Sequence, residues 1–521
     1  MRKRDKRIIV TVLVVIEMLI CMAMLGLLTA ARMRRPNVRF FYFATERAEE
    51  RVEKRFAVDG PAKIDLDNVR GDVVIVGSDG DEIVVQAVVE AWGVTQREAK
   101  SKAQALAIVM RMEGSTLHVE VEDPEPEVYL FVGSTRASQV RFEVTVPRQT
   151  EVAARTRHSL IELEGTEGYA ALYSEYGDIS VADVRGGLDV ETNNGDVTVR
   201  RAGDESKEID LRSRYGEIVV ERVAGTIRVE TSNGPVTVRS AGGTNAQLVV
   251  RNRYGAIEVE DVVGDIDVET NNGAISVQRS GGRGAEVRVS TRYDDTTIRE
   301  VEARELEIDC GNGKLVLDQV TVEEELALDT EYVSIDADDV RAQSLKVTGR
   351  NGEISLANVE LEGALDVRTE YGAVDVRGTE ATEYRIETNN ESITLDGAHG
   401  LLQLHSTYGG ITVHNASDAI LDLRGHNAKI VFEGSLDLGT NHRVESEYGD
   451  IELRLPSSTA VYLDASTQYG NIDCEFDVLV KGADDDTEQK TNEKNLRGPI
   501  NEGTVELFVK TRNGSITVEA R

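Results

Sequence analysis

Nine tyrosines recur along the chain at a spacing that could set aromatic rings in a row. The first five intervals, from Tyr176 to Tyr371, are each 39 residues. Regularly spaced rings could stack on the faces of sugars, which predicts a polysaccharide-binding strip. The sequence alone favours the alternative, a packing ladder at a structural corner, because such corners recur in every repeat and binding sites usually do not. The series comprises Tyr176, Tyr215, Tyr254, Tyr293, Tyr332, Tyr371, Tyr408, Tyr448 and Tyr469.

Carboxylates and histidines offer the other candidate chemistry. A recurring glutamate–threonine pair could form a cation-binding column, but we interpret it as an outward, solvated face with hydroxyls paired along the strands. The histidines concentrated between residues 399 and 442 lack the spacing of a metal site and are predicted to lie on the surface. The pairs are Glu191-Thr192, Glu230-Thr231, Glu269-Thr270 and Glu387-Thr388, and the histidines are His399, His405, His414, His426 and His442.

The sequence contains no motif of a known catalytic or metal centre. Cys310 and Cys474 form no CxxC pair, and Cys474 is predicted to be a small buried residue. No nucleophile elbow, phosphate-binding loop or zinc signature occurs. We therefore predict no catalytic residues, no cofactor and no metal. The alternative is a polysaccharide-cleaving β-helix enzyme, a lyase or hydrolase, whose departure from the repeat would fall at residues 399–442.

A second element alternates with the tyrosines and defines the repeat. Asn-Gly pairs occur at Asn194, Asn233, Asn272, Asn312 and Asn351, with degenerate copies at Asn390 and Asn427 and a last copy at Asn513. Tyrosine and asparagine elements thus alternate every 18–21 residues through the regular repeats. Between them, aliphatic and polar residues alternate with period two, as in strands with one buried face. Glycine at these corners suggests positive φ.

Two architectures fit this pattern. Asn-Gly between alternating strands is typical of hairpins, which would give an antiparallel meander. A fixed period favours an all-β parallel β-helix or β-solenoid, because stacked turns keep corner residues in register. The pattern leaves open whether one turn holds 19 or 39 residues. Missing corner glycines, at Asp294, Val333 and Glu391, predict less regular middle turns.

The N-terminal segment predicts a membrane anchor. Residues 8–31 hold 24 residues with one charge, Glu17, and a membrane-spanning helix needs about 20 apolar residues. A cleaved signal peptide would have a shorter apolar core. Five basic residues lie within the first seven positions, which predicts a cytoplasmic N-terminus and an extracytoplasmic β domain at the plasma (inner) membrane.

The same reasoning divides the chain into segments and limits its partners. Residues 1–35 carry a net charge of +6 (eight basic, two acidic). Because the whole chain has a net charge of −34, the remaining residues carry −40. Such an acidic surface excludes nucleic acid as a partner. The predicted segments are a basic tail (1–7), a transmembrane helix (8–31), a stalk (32–55), a cap with one short helix (56–158), solenoid repeats (159–480), a polar loop (481–500) and a terminal repeat (501–521).

The chain resembles a bacterial β-strand-repeat family of putative adhesins, a domain of unknown function. The resemblance rests on residues 56–77, on the Val-Thr-Val-Pro at 144–147 and on the repeated Gly-x-Ile-x-Val and Asn-Gly elements. It implies a single anchor, an outer β-solenoid and no catalytic residues. We therefore expect a non-catalytic, adhesin-like binding or scaffold module of the cell envelope. Its expected partners are the membrane and cell-wall or surface polysaccharide or envelope proteins.

Overall fold

The computed structural model describes residues 38–39, 42–122, 128–129, 132–134, 137–478 and 494–521. These residues belong to two compact units, Met1–Gly195 and Asp196–Arg521. Both units are built almost entirely from strands, and the described residues contain one α-helix. The predicted all-β solenoid is confirmed.

The first unit contains the helix and sixteen strands in its described part. They are β1 (Val38–Arg39), β2 (Tyr42–Phe43), β3 (Glu46–Ala57), β4 (Lys63–Asn68), β5 (Val73–Ser78), β6 (Glu82–Gly93), α1 (Gln96–Ala105), β7 (Ala107–Glu113), β8 (Thr116–Glu122), β9 (Val128–Tyr129), β10 (Val132–Ser134), β11 (Gln139–Pro147), β12 (Glu151–Thr156), β13 (Ile161–Glu164), β14 (Ala170–Ser174), β15 (Ile179–Ala182) and β16 (Leu188–Thr192).

The second unit contains thirty strands in its described part. They are β17 (Val197–Arg200), β18 (Glu208–Ser213), β19 (Ile218–Glu221), β20 (Thr226–Thr231), β21 (Val236–Arg239), β22 (Gly242–Arg251), β23 (Ile257–Glu260), β24 (Val263–Thr270), β25 (Ile275–Gln278), β26 (Glu286–Thr291), β27 (Thr296–Arg299), β28 (Glu302–Ala303), β29 (Glu305–Val322), β30 (Glu325–Ala342), β31 (Ser344–Gly349), β32 (Ile354–Leu361), β33 (Ala364–Thr369), β34 (Val374–Arg377), β35 (Glu383–Thr388), β36 (Ile393–Asp396), β37 (His399–Ser406), β38 (Ile411–Gly425), β39 (Ile430–Leu436), β40 (His442–Ser446), β41 (Ile451–Leu455), β42 (Val461–Thr467), β43 (Ile472–Cys474), β44 (Asn495–Ile500), β45 (Glu506–Thr511) and β46 (Ile516–Ala520).

One solenoid turn consists of a first strand, a corner, a second strand and a return segment. In unit 1, Val152 of β12 pairs in parallel with Ala170 of β14, 18 residues further on. In unit 2, Val236 of β21 pairs in parallel with Ile257 of β23, 21 residues further on. The turn is therefore the half-unit of about 19 residues, and the 39-residue repeat is two turns. Parallel pairing between successive repeats also rules out the antiparallel meander for these strands.

The alternating pattern places the aliphatic side chains inside each turn. In β23, Ile257 and Val259 are buried, whereas Glu258 and Glu260 are partly exposed. The same two-residue period buries Ile275 and Val277 in the next turn. Each turn thus covers the aliphatic residues of its neighbours, which is how a solenoid acquires a core.

At most corners, with Gly313 and Gly352 as exceptions, the glycine allows close contact between turns and does not take positive φ. At Gly195 and Gly273 φ is not positive, and a Cβ built there would lie 2.0 Å from the carbonyl oxygen of the corner glycine one turn earlier. Positive φ occurs instead at the end of the second strand, at non-glycine residues such as Asp183, Arg222 and Asp261. The prediction of positive φ at Gly195 and Gly273 was therefore wrong.

The missing corner glycines do not interrupt the stacking. Asn312 pairs with Tyr332, and Gly313 pairs with Val333, as part of the long strands β29 and β30. Val333 is buried, and Gly313 and Gly352 on either side of it take φ of 114° and 128°. These two glycines accommodate the bulkier residue, so the corner becomes extended strand while parallel pairing continues.

Antiparallel strands and a helix form the cap of unit 1. Strand β6 pairs antiparallel with β3 and with β11, and β7 forms an antiparallel hairpin with β8. The predicted helix is confirmed as α1: its N-cap Thr95 accepts a hydrogen bond from the Glu98 N–H (3.2 Å). Strand β3 begins at Glu46, within the segment assigned to the stalk, so the ordered β structure starts before the predicted cap boundary at residue 56.

The last turn of unit 2 is inserted between two turns that precede it in sequence. Strand β45 pairs in parallel with both β40 and β42, and β46 pairs with both β41 and β43. Strand β44 then pairs antiparallel with the outer side of β42. The stacking order is therefore 442–455, then 506–520, then 461–474. Residues 495–500, assigned to the polar loop, are strand.

The predicted membrane anchor cannot be placed in this fold. Residues 8–31 lie outside the described residues, as does most of the polar loop. The part of the chain that the structure describes holds no helix that could span a lipid bilayer.

Candidate functional site

A ladder of buried polar side chains fixes the corner between the first and second strands. In unit 1, the buried Thr192 hydroxyl donates to the Gly177 carbonyl of the preceding turn (3.2 Å) and accepts from the Gly195 N–H (3.1 Å). In unit 2, Thr511 makes the same two bonds, to the Gly449 carbonyl (3.0 Å) and from the Gly514 N–H (3.2 Å). Each rung ties a corner to the one below, which holds the corner residues in line.

Tyrosine and asparagine play different parts at this corner. The asparagine side chain points back to the previous turn: the Asn233 amide donates to the Arg214 carbonyl (3.1 Å), and the Asn312 amide to the Arg292 carbonyl (3.1 Å). The tyrosines are held by their backbone, as where the Tyr371 N–H donates to the Arg350 carbonyl (2.8 Å). These tyrosine residues are 44–65% exposed. The asparagines thus link the turns, and the tyrosines leave their rings open to solvent.

In unit 2 the rings form one row, which we call the tyrosine edge. Turns alternate between tyrosine and asparagine, so neighbouring rings lie two turns apart, or about 9.6 Å at the usual strand spacing. Tyr176 has the same corner position in unit 1. The tyrosine edge consists of Tyr215, Tyr254, Tyr293, Tyr332, Tyr371, Tyr408, Tyr448 and Tyr469.

The inserted C-terminal turn completes this spacing. Tyr448 and Tyr469 are only 21 residues apart in sequence, which is one turn. Asn513 lies between them, because its N–H donates to the Glu447 carbonyl (3.0 Å) while the Tyr469 N–H donates to the Arg512 carbonyl (2.9 Å). The last two rings are therefore also two turns apart, and the alternation of tyrosine and asparagine is unbroken.

Sequence comparison assigns the chain to a family. The family model Toastrack DUF4097 matches residues 62–260, 243–377 and 334–424, which together span most of the chain. The chain belongs to the Toastrack family. This confirms the resemblance drawn from the repeat motifs. Comparison with curated proteins gives no match.

Two solved structures are similar to this Toastrack chain. One is a putative cell adhesion protein from Clostridium sporogenes, with 12% identity and a TM-score of 0.21, covering 45% of this chain and 100% of its own. The other is a putative adhesin from Bacteroides fragilis, with 12% identity and a TM-score of 0.22, covering 59% of this chain and 96% of its own.

The glutamate–threonine pairs of the Toastrack turns do not share a solvated face. Thr192, Thr231, Thr270 and Thr388 are all buried, with at most 7% exposure. Successive residues of a strand point to opposite faces, so only the glutamates face outward. The prediction of outward hydroxyls was wrong, and three of these four threonines, at 192, 270 and 388, bond to a corner glycine of the preceding turn.

One histidine of the 399–442 group is in the core. His442 is 2% exposed; its Nδ1 accepts from the Leu421 N–H (3.3 Å), and its Nε2 lies 2.8 Å from the Asp437 carbonyl oxygen. Burial lowers the pKa of His442, which favours the neutral ring. His414 and His426 pair with Glu433 (3.4 Å) and Glu447 (2.8 Å) near the surface. The surface prediction therefore fails for His442.

The two cysteines among the described residues, Cys310 and Cys474, lie in surroundings that disfavour the reactive thiolate. Cys310 is buried at a corner position, and burial raises the pKa of its thiol to about 11. Cys474 is half-buried, and burial also raises the pKa of its thiol. Within the described ranges no group of three or more metal-ligating side chains comes together.

An open groove of about 910 Å³ lies beside the end of the tyrosine edge. It crosses the outward face of the first strands in the last turns, and Glu447 and Gln468, which precede Tyr448 and Tyr469, line it. Its two carboxylates are engaged: Glu445 pairs with Arg443 (2.8 Å) and Glu447 with Arg512 (3.1 Å). Motifs gave no signal for this groove, because it is assembled from strands far apart in sequence.

Proposed function

We propose that this Toastrack protein is a membrane-anchored, extracytoplasmic, non-catalytic module that binds polysaccharide along the tyrosine edge. The observation that carries the proposal is the row of eight half-exposed rings, evenly spaced in unit 2. A tyrosine ring presents an apolar face with a polar tip, which suits the faces of sugar rings. Neighbouring rings are separated by two strand layers. Two successive sugars of an extended β-linked glycan cover about the same distance, so every second sugar could lie on a ring.

The exposure of the tyrosines supports a binding strip over a packing ladder. Rings that served packing would be covered by the neighbouring corners, as the fully buried Tyr384 is covered in the core. The corner is instead held by the threonine, serine and asparagine ladder and by the aliphatic interior, neither of which needs the rings. The tyrosines are therefore available to a ligand.

The binding proposal predicts selective loss of affinity when rings are removed. The variant Tyr332→Ala/Tyr371→Ala lacks two neighbouring rings. It should bind cell-wall glycan and neutral chito-oligosaccharides roughly tenfold more weakly, since an aromatic contact contributes about 0.5–1.5 kcal/mol. A glycan array followed by titration of the full chain in detergent measures this.

Two exposed tyrosines away from the edge provide the matched control. Tyr169 and Tyr462 are 49% and 39% exposed, and Tyr169→Ala/Tyr462→Ala should leave affinity unchanged. Equal affinity of both double variants and the wild type would refute the binding strip and leave a scaffold role. The melting temperature of each variant shows whether it is folded.

The anchor is proposed from residues 8–31 and the basic residues before them. The β domain should be removed by protease added to intact cells, once any outer membrane has been opened. A cytoplasmic protein serves as the control for lysis. A β domain that stays protected under these conditions contradicts the extracytoplasmic placement.

A further inference from the structure

The groove beside the tyrosine edge has an unusual charge for this protein. A row of outward residues crosses it in register: Arg424 aligns with Glu445, Glu445 with Lys510, and Lys510 with Ser466. Arg512 and Lys494 are the other two cationic side chains that line the groove. Four cationic side chains thus meet two carboxylates, a local excess of two positive charges in a chain of net charge −34.

Most of these charges are already compensated. Arg424 pairs with Asp422 (2.8 Å), and Arg512 pairs with Glu447 (3.1 Å). Glu445 is neutralised by Arg443 (2.8 Å). Among the described residues, Lys494 and Lys510 have no carboxylate partner. Within the part of the chain that the structure describes, these two ammonium groups are the charges of the groove that could attract an anion.

The groove and the tyrosine edge adjoin each other. The His426 ring, which lines the groove, packs edge-on against Tyr448 with centroids 5.3 Å apart. On the next turn but one, the Gln468 amide donates to the Tyr469 hydroxyl (3.2 Å). A sugar chain lying on these two rings would place its substituents at the mouth of the groove.

We infer that the groove binds the anionic substituents, carboxylate or phosphate, of an acidic polysaccharide whose sugar rings lie on the tyrosine edge. This inference rests on the proposed function for the class of ligand. Lysine suits the role because an ammonium attracts an anion from many directions, without the fixed geometry of a guanidinium. The acidic surface elsewhere does not prevent binding, since charges beyond about 8 Å are screened at physiological ionic strength.

The test compares two charge-matched double variants of the full chain. Lys494→Gln/Lys510→Gln removes the two lysines of the groove, and Lys207→Gln/Lys346→Gln removes two exposed lysines from elsewhere in unit 2. Each protein is titrated with tetragalacturonate, with a phosphate-bearing glycan oligomer and with neutral chitotetraose. The groove variant should lose about tenfold in affinity for one or both anionic probes and none for chitotetraose, while the control variant matches the wild type.

Each outcome separates the groove from the edge. If both lysine variants bind both anionic probes as tightly as the wild type does, the inference about the groove is overturned and the proposal for the tyrosine edge is unaffected. Monomeric galacturonate bound as tightly as the tetramer overturns the polysaccharide assignment. Lysine-dependent binding of anionic probes that is unchanged in Tyr448→Ala/Tyr469→Ala, which lacks the two rings beside the groove, supports the groove and refutes the placement of the sugar rings on the tyrosine edge. The affected probe, carboxylate or phosphate, identifies the anionic group.

Discussion

Replacing Val509 with aspartate is expected to release the C-terminal turn, residues 506–520, from its position between two earlier turns. Val509 is fully buried and pairs with Val444 on one side and Ala465 on the other. A charge left unpaired in such a site costs about 3–5 kcal/mol. Burial of four aliphatics (Leu507, Val509, Ile516 and Val518) contributes roughly 6–12 kcal/mol as an upper bound. The conformational entropy lost in ordering the turn offsets most of this gain, so the cost of the buried charge exceeds what is left.

Hydrogen exchange and limited proteolysis of the full chain measure this release. Amides of β45 and β46 should exchange much faster in Val509→Asp, and the segment should become cleavable. Lys510→Gln is the matched control, because it changes the next residue, which is exposed, and should alter stability by no more than about 0.5 kcal/mol. Unchanged protection of residues 506–520 in Val509→Asp would show that the turn does not depend on this buried contact.

Release of the turn should also change the tyrosine edge. The C-terminal turn lies between residues 442–455 and residues 461–474. These two segments are about 20 residues apart in sequence, which is the usual distance between turns that stack directly on each other. We expect these two turns to close on each other, which brings Tyr448 and Tyr469 from about 9.6 Å to about 4.8 Å. Cysteines at the two positions should then form a disulfide, which needs Cα atoms roughly 4.4–6.8 Å apart. The same cysteine pair should stay reduced when Val509 is intact.

The repeat pattern was sufficient to predict the solenoid, and one irregularity in it was a signal for the inserted turn. Every tyrosine interval is 37–40 residues except the last, Tyr448 to Tyr469, which is 21. The missing asparagine element is Asn513-Gly514. The insertion itself could not be predicted, because every turn carries the same alternating face and stacks equally well on several others. Local sequence sets the shape of a turn but not its neighbour.

The errors at individual residues have a common physical cause. Thr192 and His442 were assigned to the surface because of their polarity. Both lie in step with buried aliphatics, Thr192 two residues after Val190 and His442 two residues before Val444. Polar groups are buried where hydrogen bonds satisfy them, and the stacked backbone of the next turn supplies such partners. Period-two position was therefore a better guide than residue type.

A methyl group at one corner glycine is expected to destabilise several turns. In Gly273→Ala the new Cβ would lie 2.0 Å from the Gly255 carbonyl oxygen and 2.4 Å from its carbon. Both are backbone atoms, so no side chain can rotate away, and the turns must separate locally. Because the Thr270 hydroxyl bonds that same Gly255 carbonyl (3.3 Å), separation would weaken the polar ladder as well. We expect a loss of about 3 kcal/mol or more in local unfolding free energy, at the upper end of overpacking effects.

The matched control is a glycine of the same unit with room for a methyl group. A Cβ at Gly243 would meet only side-chain atoms, the nearest at 3.5 Å, and its φ is not positive. Gly243→Ala should therefore change stability by less than about 1 kcal/mol, with a small gain from a stiffer unfolded chain. Hydrogen exchange of β23 and β25 distinguishes the two variants, since stacked repeats unfold locally. If Gly273→Ala exchanged like Gly243→Ala, close contact between turns would not be the reason for glycine at this corner.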